Sequence, residues 1–177
     1  MTSIERVDPP LAVDEAATLR GFLDYHRETL RLKTEGLSRE QLNQTLAPSA
    51  MTLGGMLKHL ALVEDWWFSC VLLGNEDADY WQGVDWDEDR DWDWHSAVEN
   101  TPEQLRTLFD DAVAASDAIL DRVLADSGLD TLSVKHDRRK DEAFSLRWIM
   151  LHMVEEYARH NGHADLIRES IDGATGE

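Results

Sequence analysis

Apolar residues recur every three or four positions over four long stretches of the chain, which is the spacing of one buried face of an α-helix. The first of these stretches stops at Gly36, and glycine commonly ends helices. The stretches lie at about 13–35, 52–73 and 101–125, and from about 145 to just before Gly173. The pattern therefore predicts four amphipathic helices.

Short polar motifs mark where helices begin. Thr101, followed by Pro102 and by Gln104, has the spacing of a capping box with proline at the first helical position. Ser38 and Gln41 have the same capping-box spacing. This second motif predicts a short helical turn over residues 38–44, between the first and second long helices.

Four helices of similar length favour an all-α protein, a four-helix bundle that forms a single domain over residues 1–177. Alternating apolar and polar runs rich in β-branched residues are missing, so the sequence offers little from which to build a sheet. The connections at residues 75–100 and 126–144 are long, and such loops are usually functional lids or disordered segments. Residues 75–100 contain many Asp and Trp, and the aromatic side chains favour a loop packed over the bundle.

Composition narrows the range of functions. The chain has 36 acidic and 17 basic residues and a net charge of −19. Such a surface repels phosphate backbones and anionic lipids, so we expect no nucleic acid or membrane partner. There is no signal-peptide pattern and no apolar run near the roughly 20 residues that span a bilayer, which predicts a cytoplasmic protein. The one cysteine, Cys70, lies on an apolar helix face, where an inert core thiol is expected.

Titratable side chains interrupt the apolar faces of the second and fourth helices. Glu156 and His160 are four residues apart, between Met153 and Ile167, and therefore lie one turn apart on one face. His59 interrupts the second helix in the same way. A buried glutamate needs a cation or a basic partner. Two imidazoles and a carboxylate suit zinc, nickel, iron or manganese, and three protein ligands leave coordination positions open, as in catalytic sites.

Spacing alone does not select the ligands. His152 lies one turn before Glu156, and His163 lies one turn after His160. At roughly 1.5 Å per residue, His152 and His163 are about 16 Å apart along the helix, which is too far for both to bind one ion. The outer residues of this series that do not bind the ion are expected to line the pocket or to form hydrogen bonds with the metal ligands. His26, on the inward face of the first helix, is a further pocket candidate, although an ordinary core histidine is favoured. A salt-bridged Glu156 among core histidines is the alternative without a metal.

The closing stretch resembles the last helix of the DinB superfamily, and more closely that of an actinobacterial branch. The resemblance rests on His152-Met-Val-Glu-Glu-Tyr-Ala-Arg-His160-Asn-Gly-His163 and, more weakly, on residues 19–37, 48–53 and 58–68. Residues 75–144 carry no matching motif. The resemblance implies a four-helix bundle whose metal site combines one histidine of the second helix with two residues one turn apart on the fourth.

Many members of the superfamily have histidine at both positions of the last helix, whereas this chain resembles the mycothiol-dependent isomerases, which have a glutamate at one. The resemblance therefore implies His59, Glu156 and His160 as the metal ligands. His163 is then the candidate catalytic base, and His26 and His152 are expected in the pocket or beside the ligands.

Characterised relatives use mycothiol or bacillithiol. The resemblance implies a metal-dependent thiol S-transferase with a divalent ion and mycothiol as cosubstrate, which acts on a small electrophile in detoxification or a stress response. The alternatives are a metal-activated hydrolase, in which the site activates water, and a metal-binding stress protein without catalysis. Bundles of this family often pair through helix faces, so a homodimer is expected.

Overall fold

The computed structural model describes residues 6–175. Its helices are α1 (Glu15–Thr34), α2 (Arg39–Leu42), α3 (Leu53–Glu64) with a π-helical continuation (Asp65–Leu72), α4 (Trp92–His95), α5 (Pro102–Asp126) and α6 (Leu146–Asp172). Turns of 3-10 helix lie at Ser96–Glu99 and Gly128–Asp130, and two short strands are β1 (Leu132–His136) and β2 (Ala143–Ser145). The four long helices confirm the all-α, four-helix prediction, and their observed ends lie close to the predicted ones.

Each long helix begins at a residue whose side chain accepts a hydrogen bond from the first turn. These residues are Asp14, Thr52, Thr101 and Ser145. The predicted capping boxes are present in α2 and α5. Gly173 ends α6 in the left-handed conformation, with φ of 75°. An N-terminal side-chain cap typically stabilises a helix by about 1 kcal/mol. Because these caps depend on residues close together in sequence, the helix boundaries could be predicted well from the sequence.

The core lies between the four long helices. Helix α1 packs chiefly against α6, and α3 packs chiefly against α5. Each helix contributes fully buried apolar side chains, among them Leu23, Leu30, Met56, Leu60, Phe109, Leu120, Ile149 and Met153. No helix within residues 6–175 is long and apolar enough to cross a bilayer.

A buried ion pair ties three of the helices together. Arg27 of α1 donates two hydrogen bonds, of 2.8 and 2.7 Å, to the carboxylate of Glu64 on α3. The hydroxyl of Tyr157 on α6 donates a third, of 2.7 Å, to the same carboxylate. Such a pair is tolerated in a core only when its hydrogen-bonding groups are satisfied, so these three side chains depend on one another.

A small hairpin at residues 132–145 was not predicted, and most of it lies in the connection 126–144 that was expected to be a long loop. Strands β1 and β2 form an antiparallel hairpin, in which Leu132 faces Ser145 and His136 faces Ala143. The hairpin packs against the π-helical continuation of α3. Its strands have five and three residues, which is too short for a clear alternating pattern in sequence.

The segment of residues 75–100 packs against the bundle, as its aromatic content predicted. It contains α4 and the following 3-10 turn, and both contact α3. This contact brings side chains of the segment next to His59, near the middle of α3.

Candidate metal centre

Three side chains from α3 and α6 meet at one point. The Nε2 atom of His59 lies 3.4 Å from Oε1 of Glu156, and Nε2 of His160 lies 3.3 Å from the same oxygen. All three potential ligand atoms are within 4.8 Å of one another. Within residues 6–175, this is the one place where three metal-ligating side chains converge in this way.

The donor set fits a divalent metal ion. Tetrahedral bonds of about 2.0–2.1 Å place neighbouring donor atoms about 3.3 Å apart, and the two separations from Glu156 Oε1 are 3.3 and 3.4 Å. Two imidazole nitrogens and a carboxylate oxygen are typical ligands of zinc and related ions. The side chains of His59 and Glu156 are each 20% exposed, so the centre is accessible to a small ligand.

Asp93 of α4 belongs to this centre, although the sequence analysis did not identify it. Its Oδ2 accepts a 2.7 Å hydrogen bond from Nδ1 of His59, and the residue is 3% exposed. A carboxylate on the far nitrogen of a ligand histidine fixes the ring orientation and the tautomer. Asp93 therefore holds His59 with Nε2 directed at Glu156. Acidic residues are so numerous between 75 and 100 that no local signal distinguishes this one.

Trp94 covers the two imidazoles. Its ring stacks on His59 at 4.8 Å between centroids and lies 5.5 Å from the ring of His160. Gly55 makes this position available, since a Cβ atom there would be 2.6 Å from the indole. The absence of a side chain at one position of α3 thus allows the indole to shield the centre.

Hydrogen bonding shifts the pKa values of His59 and Glu156. Burial disfavours the charged form of His59, but the hydrogen bonds to Asp93 and Glu156 outweigh it and raise the pKa of His59 to about 9. Hydrogen bonds from His160 and His59 hold the pKa of Glu156 well below its usual range. An incoming metal ion therefore competes with a proton for Nε2 of His59, and we expect metal affinity to fall as the pH is lowered.

A cavity of about 490 Å³ opens beside His59. It has both aromatic and cationic walls, which include Trp66, Trp86, Arg90, Trp94 and Arg138. Adjacent residues of a helix face different directions. Trp66 accordingly lines the cavity, whereas Trp67 packs against Phe144 and Trp148. The cavity is large enough for a small organic molecule next to the three ligands.

His163 lies close to the centre. Its ring centroid is 6.2 Å from that of His160, and its buried Nδ1 atom has no hydrogen-bond partner within residues 6–175. A catalytic role for this residue stays a prediction.

The structure does not bring His152 or His26 into the three-residue cluster. His152 stacks on Trp148 at 5.1 Å, beside the hairpin. His26 accepts a hydrogen bond of 2.9 Å from the amide of Asn161 through its backbone carbonyl. Burial and the nearby charge of Arg6 lower the pKa of His26, which favours the neutral form of its ring. Their predicted roles beside the ligands are not tested by these contacts.

Cys70 has the properties of an inert thiol. It is fully buried, and burial together with the charge of Asp65 and a hydrogen bond to Asp77 raises its pKa to about 12. Only the thiolate is strongly nucleophilic, so this side chain is unsuited to attack an electrophile.

Comparisons with known proteins bear on the fold and on the family of this chain. The fold is similar to that in the crystal structure of a conserved protein from Enterococcus faecalis, with a TM-score of 0.59, 20% identity, and coverage of 92% of this chain and 100% of that one. At this identity the likeness concerns the fold alone. A comparison with curated proteins found no match. A sequence model of the mycothiol-S-transferase family matches residues 18–173, which include His59, Glu156 and His160. The chain therefore belongs to the mycothiol-S-transferase family, a DinB-like family, as the resemblance predicted.

Proposed function

We propose that this protein is a metal-dependent S-transferase that joins mycothiol to a small electrophile, in detoxification or a stress response. The observation that carries the proposal is the convergence of His59, Glu156 and His160 beside a cavity, in a chain of this family. These three residues would hold the ion. The donor set favours zinc or nickel, with iron and manganese as further candidates.

A bound divalent ion would supply the nucleophile by lowering the pKa of a coordinated thiol, so that the thiolate forms near neutral pH. The protein must supply the rest. Asp93 fixes the orientation of His59, and Trp94 limits the access of water to the two imidazoles. His163 is the candidate acceptor of the thiol proton. The sulfur forms a bond to the electrophilic carbon as the bond to the leaving group breaks, and the proton passes on to solvent.

The need for an external thiol follows from Cys70. It is the one cysteine of the chain, it is buried, and its pKa is raised to about 12. The nucleophilic sulfur of the proposed reaction therefore has to come from a small-molecule thiol, and the family of the chain points to mycothiol.

The test combines elemental analysis, calorimetric titration with mycothiol, and thiol consumption with a panel of electrophiles. We expect a stoichiometric divalent metal, thiol binding, and turnover that is lost in Glu156→Gln. Glu155→Gln is the matched control, because Glu155 is the adjacent carboxylate of α6 and its side chain is 58% exposed.

Three results would replace the proposal. Metal-loaded protein that neither binds nor consumes mycothiol would overturn it. Thiol-independent hydrolysis of esters or amides would favour the hydrolase. A bound metal without an exchangeable coordination position would favour the non-catalytic metal-binding protein.

A homodimer and a cytoplasmic location are part of the same proposal. Small thiols stay reduced in the cytoplasm. Trp148 and Leu132 line one surface depression of mixed polar and apolar character, Leu151 lies one turn further along α6, and all three apolar side chains are more than a third exposed. A second copy would bury these side chains. Light scattering is expected to give a dimer mass that Leu151→Glu lowers, and a monomer mass for the unmodified protein would contradict this part.

A further inference from the structure

Two arginines in the wall of the cavity beside His59 have no partner within residues 6–175. Arg90 comes from the segment before α4, and Arg138 comes from the turn between β1 and β2. Neither guanidinium makes a hydrogen bond or an ion pair with a described residue. By contrast, Arg20 and Arg27 each bind several carboxylates.

Other exposed arginines of the chain also lack an ion pair with a described residue, but these two differ in that both line the cavity beside His59. The acidic residues of the same cavity do not form ion pairs with the two arginines. Asp93 accepts the hydrogen bond of His59, and Asp77 accepts that of the Cys70 thiol. Asp91, also in the wall, makes no ion pair with either arginine. The two guanidinium groups are therefore free to bind an anionic ligand.

The remaining walls add a second constraint on a ligand. Three indoles, those of Trp66, Trp86 and Trp94, line the same cavity. Indoles offer flat, polarisable faces on which a planar group can stack. A guanidinium is a planar fork that matches a carboxylate with two parallel hydrogen bonds. The combination suits a flat molecule that carries a carboxylate at one end.

We infer that this cavity binds the electrophile and selects aromatic electrophiles that carry a carboxylate. This inference rests on the proposed function, because it names the substrate class of that site. The carboxylate lies between Arg90 and Arg138, and the ring lies among the indoles. The transferred sulfur bonds to a ring carbon that bears a leaving group such as chloride. The carbon–chlorine bond breaks, chloride leaves with its electron pair, and the thiol proton passes to solvent.

Binding is measured first, without thiol and without turnover. Titration calorimetry of the metal-containing protein compares 3,5-dinitrobenzoate with its methyl ester, which has the same ring and no charge. We expect the acid to bind at least about tenfold more tightly, as charge-assisted hydrogen bonds contribute that much or more. Arg90→Gln and Arg138→Gln should each remove most of the preference.

Arg139→Gln is the matched control. It makes the same change of charge at the next residue, which is exposed and is not in the cavity wall. We expect it to leave both affinities unchanged. Since Arg90 and Arg138 are also exposed, all three variants should fold normally, and circular dichroism checks this.

Turnover separates this inference from the proposed function. The probes are 4-chloro-3,5-dinitrobenzoate and its methyl ester, with mycothiol as the thiol. We expect a lower KM for the acid than for the ester. Arg90→Gln and Arg138→Gln should each raise the KM for the acid and leave the KM for the ester unchanged. If the ester is consumed as well as the acid, or if Arg139→Gln has the same effect, the inference is overturned and the transferase stands.

Two further outcomes are informative. Tight binding of dinitrobenzoate through Arg90 and Arg138 without consumption of thiol would support the anion site and overturn the proposed function. If the affinity for dinitrobenzoate is unchanged in both variants and is lost when a chelator removes the metal, the carboxylate binds to the metal. That result would overturn the inference.

Discussion

Replacing Asp93 by asparagine tests how the metal centre is held together. Asp93 is 3% exposed, and its carboxylate lies 2.7 Å from Nδ1 of His59. Asparagine has nearly the same shape and retains an oxygen that accepts the hydrogen bond from Nδ1. Asp93→Asn therefore removes the negative charge alone, whereas Asp93→Leu removes both the charge and the acceptor.

The magnitude follows from the geometry. Loss of a hydrogen-bond partner from a ligand histidine typically lowers metal affinity about 10- to 100-fold. The hydrogen bond is short and largely shielded from solvent, so the charge of the Asp93 carboxylate is weakly screened. We expect about a tenfold loss for Asp93→Asn, since the acceptor remains, and about a hundredfold loss for Asp93→Leu. These losses correspond to about 1.4 and 2.7 kcal/mol of binding free energy.

The assay is competition for zinc between each variant and a chromophoric chelator. Asp91→Asn serves as the control, because Asp91 is an exposed acidic residue of the same segment and does not bond to His59. An NMR titration of chelator-treated protein supplies an independent measure. The pKa of His59, about 9 in the unmodified chain, should fall in Asp93→Asn, because a group that stabilises the imidazolium has lost its charge.

Unchanged zinc affinity in both Asp93 variants would refute this reasoning. An equal loss in Asp91→Asn would do so too, since it would attribute the effect to the general field of the acidic segment. A normal circular dichroism spectrum has to accompany either result.

Three further predictions concern other parts of the molecule. Tyr157→Phe removes a hydrogen bond to the buried carboxylate of Glu64 and should lower the free energy of unfolding in urea by about 1.5 kcal/mol; an unchanged midpoint would contradict this. Cys70, with a pKa raised to about 12, has a thiolate fraction of only about one in ten thousand near pH 8. Iodoacetamide should therefore label Cys70 only after unfolding, and rapid labelling of native protein would show that the thiol is accessible. His163→Gln should lower turnover by about a hundredfold or more at unchanged metal content if His163 accepts the thiol proton, and unaltered turnover would exclude that role.

The sequence by itself determined the parts of the fold that depend on neighbours along the chain. Helix boundaries were predicted well because Thr101 and Ser145 cap helices through bonds to residues only three positions away. Glu156 and His160 were placed together for the same reason, since four residues make about one helical turn. The hairpin was missed because its strands are too short to show a period.

Only the tertiary structure decided what surrounds those two residues. Periodicity left His59, His152, Glu156, His160 and His163 as candidates, and only the family resemblance favoured three of them. Packing of α3 against α6 brings His59, Glu156 and His160 together and leaves His152 against Trp148. Asp93 and Trp94 reach the centre from a segment where acidic and aromatic residues are common, and Arg90 and Arg138 lie 48 positions apart in sequence yet line one cavity. Such contacts depend on where helices and loops pack in space, and packing across long sequence separations leaves no periodic mark in a single chain.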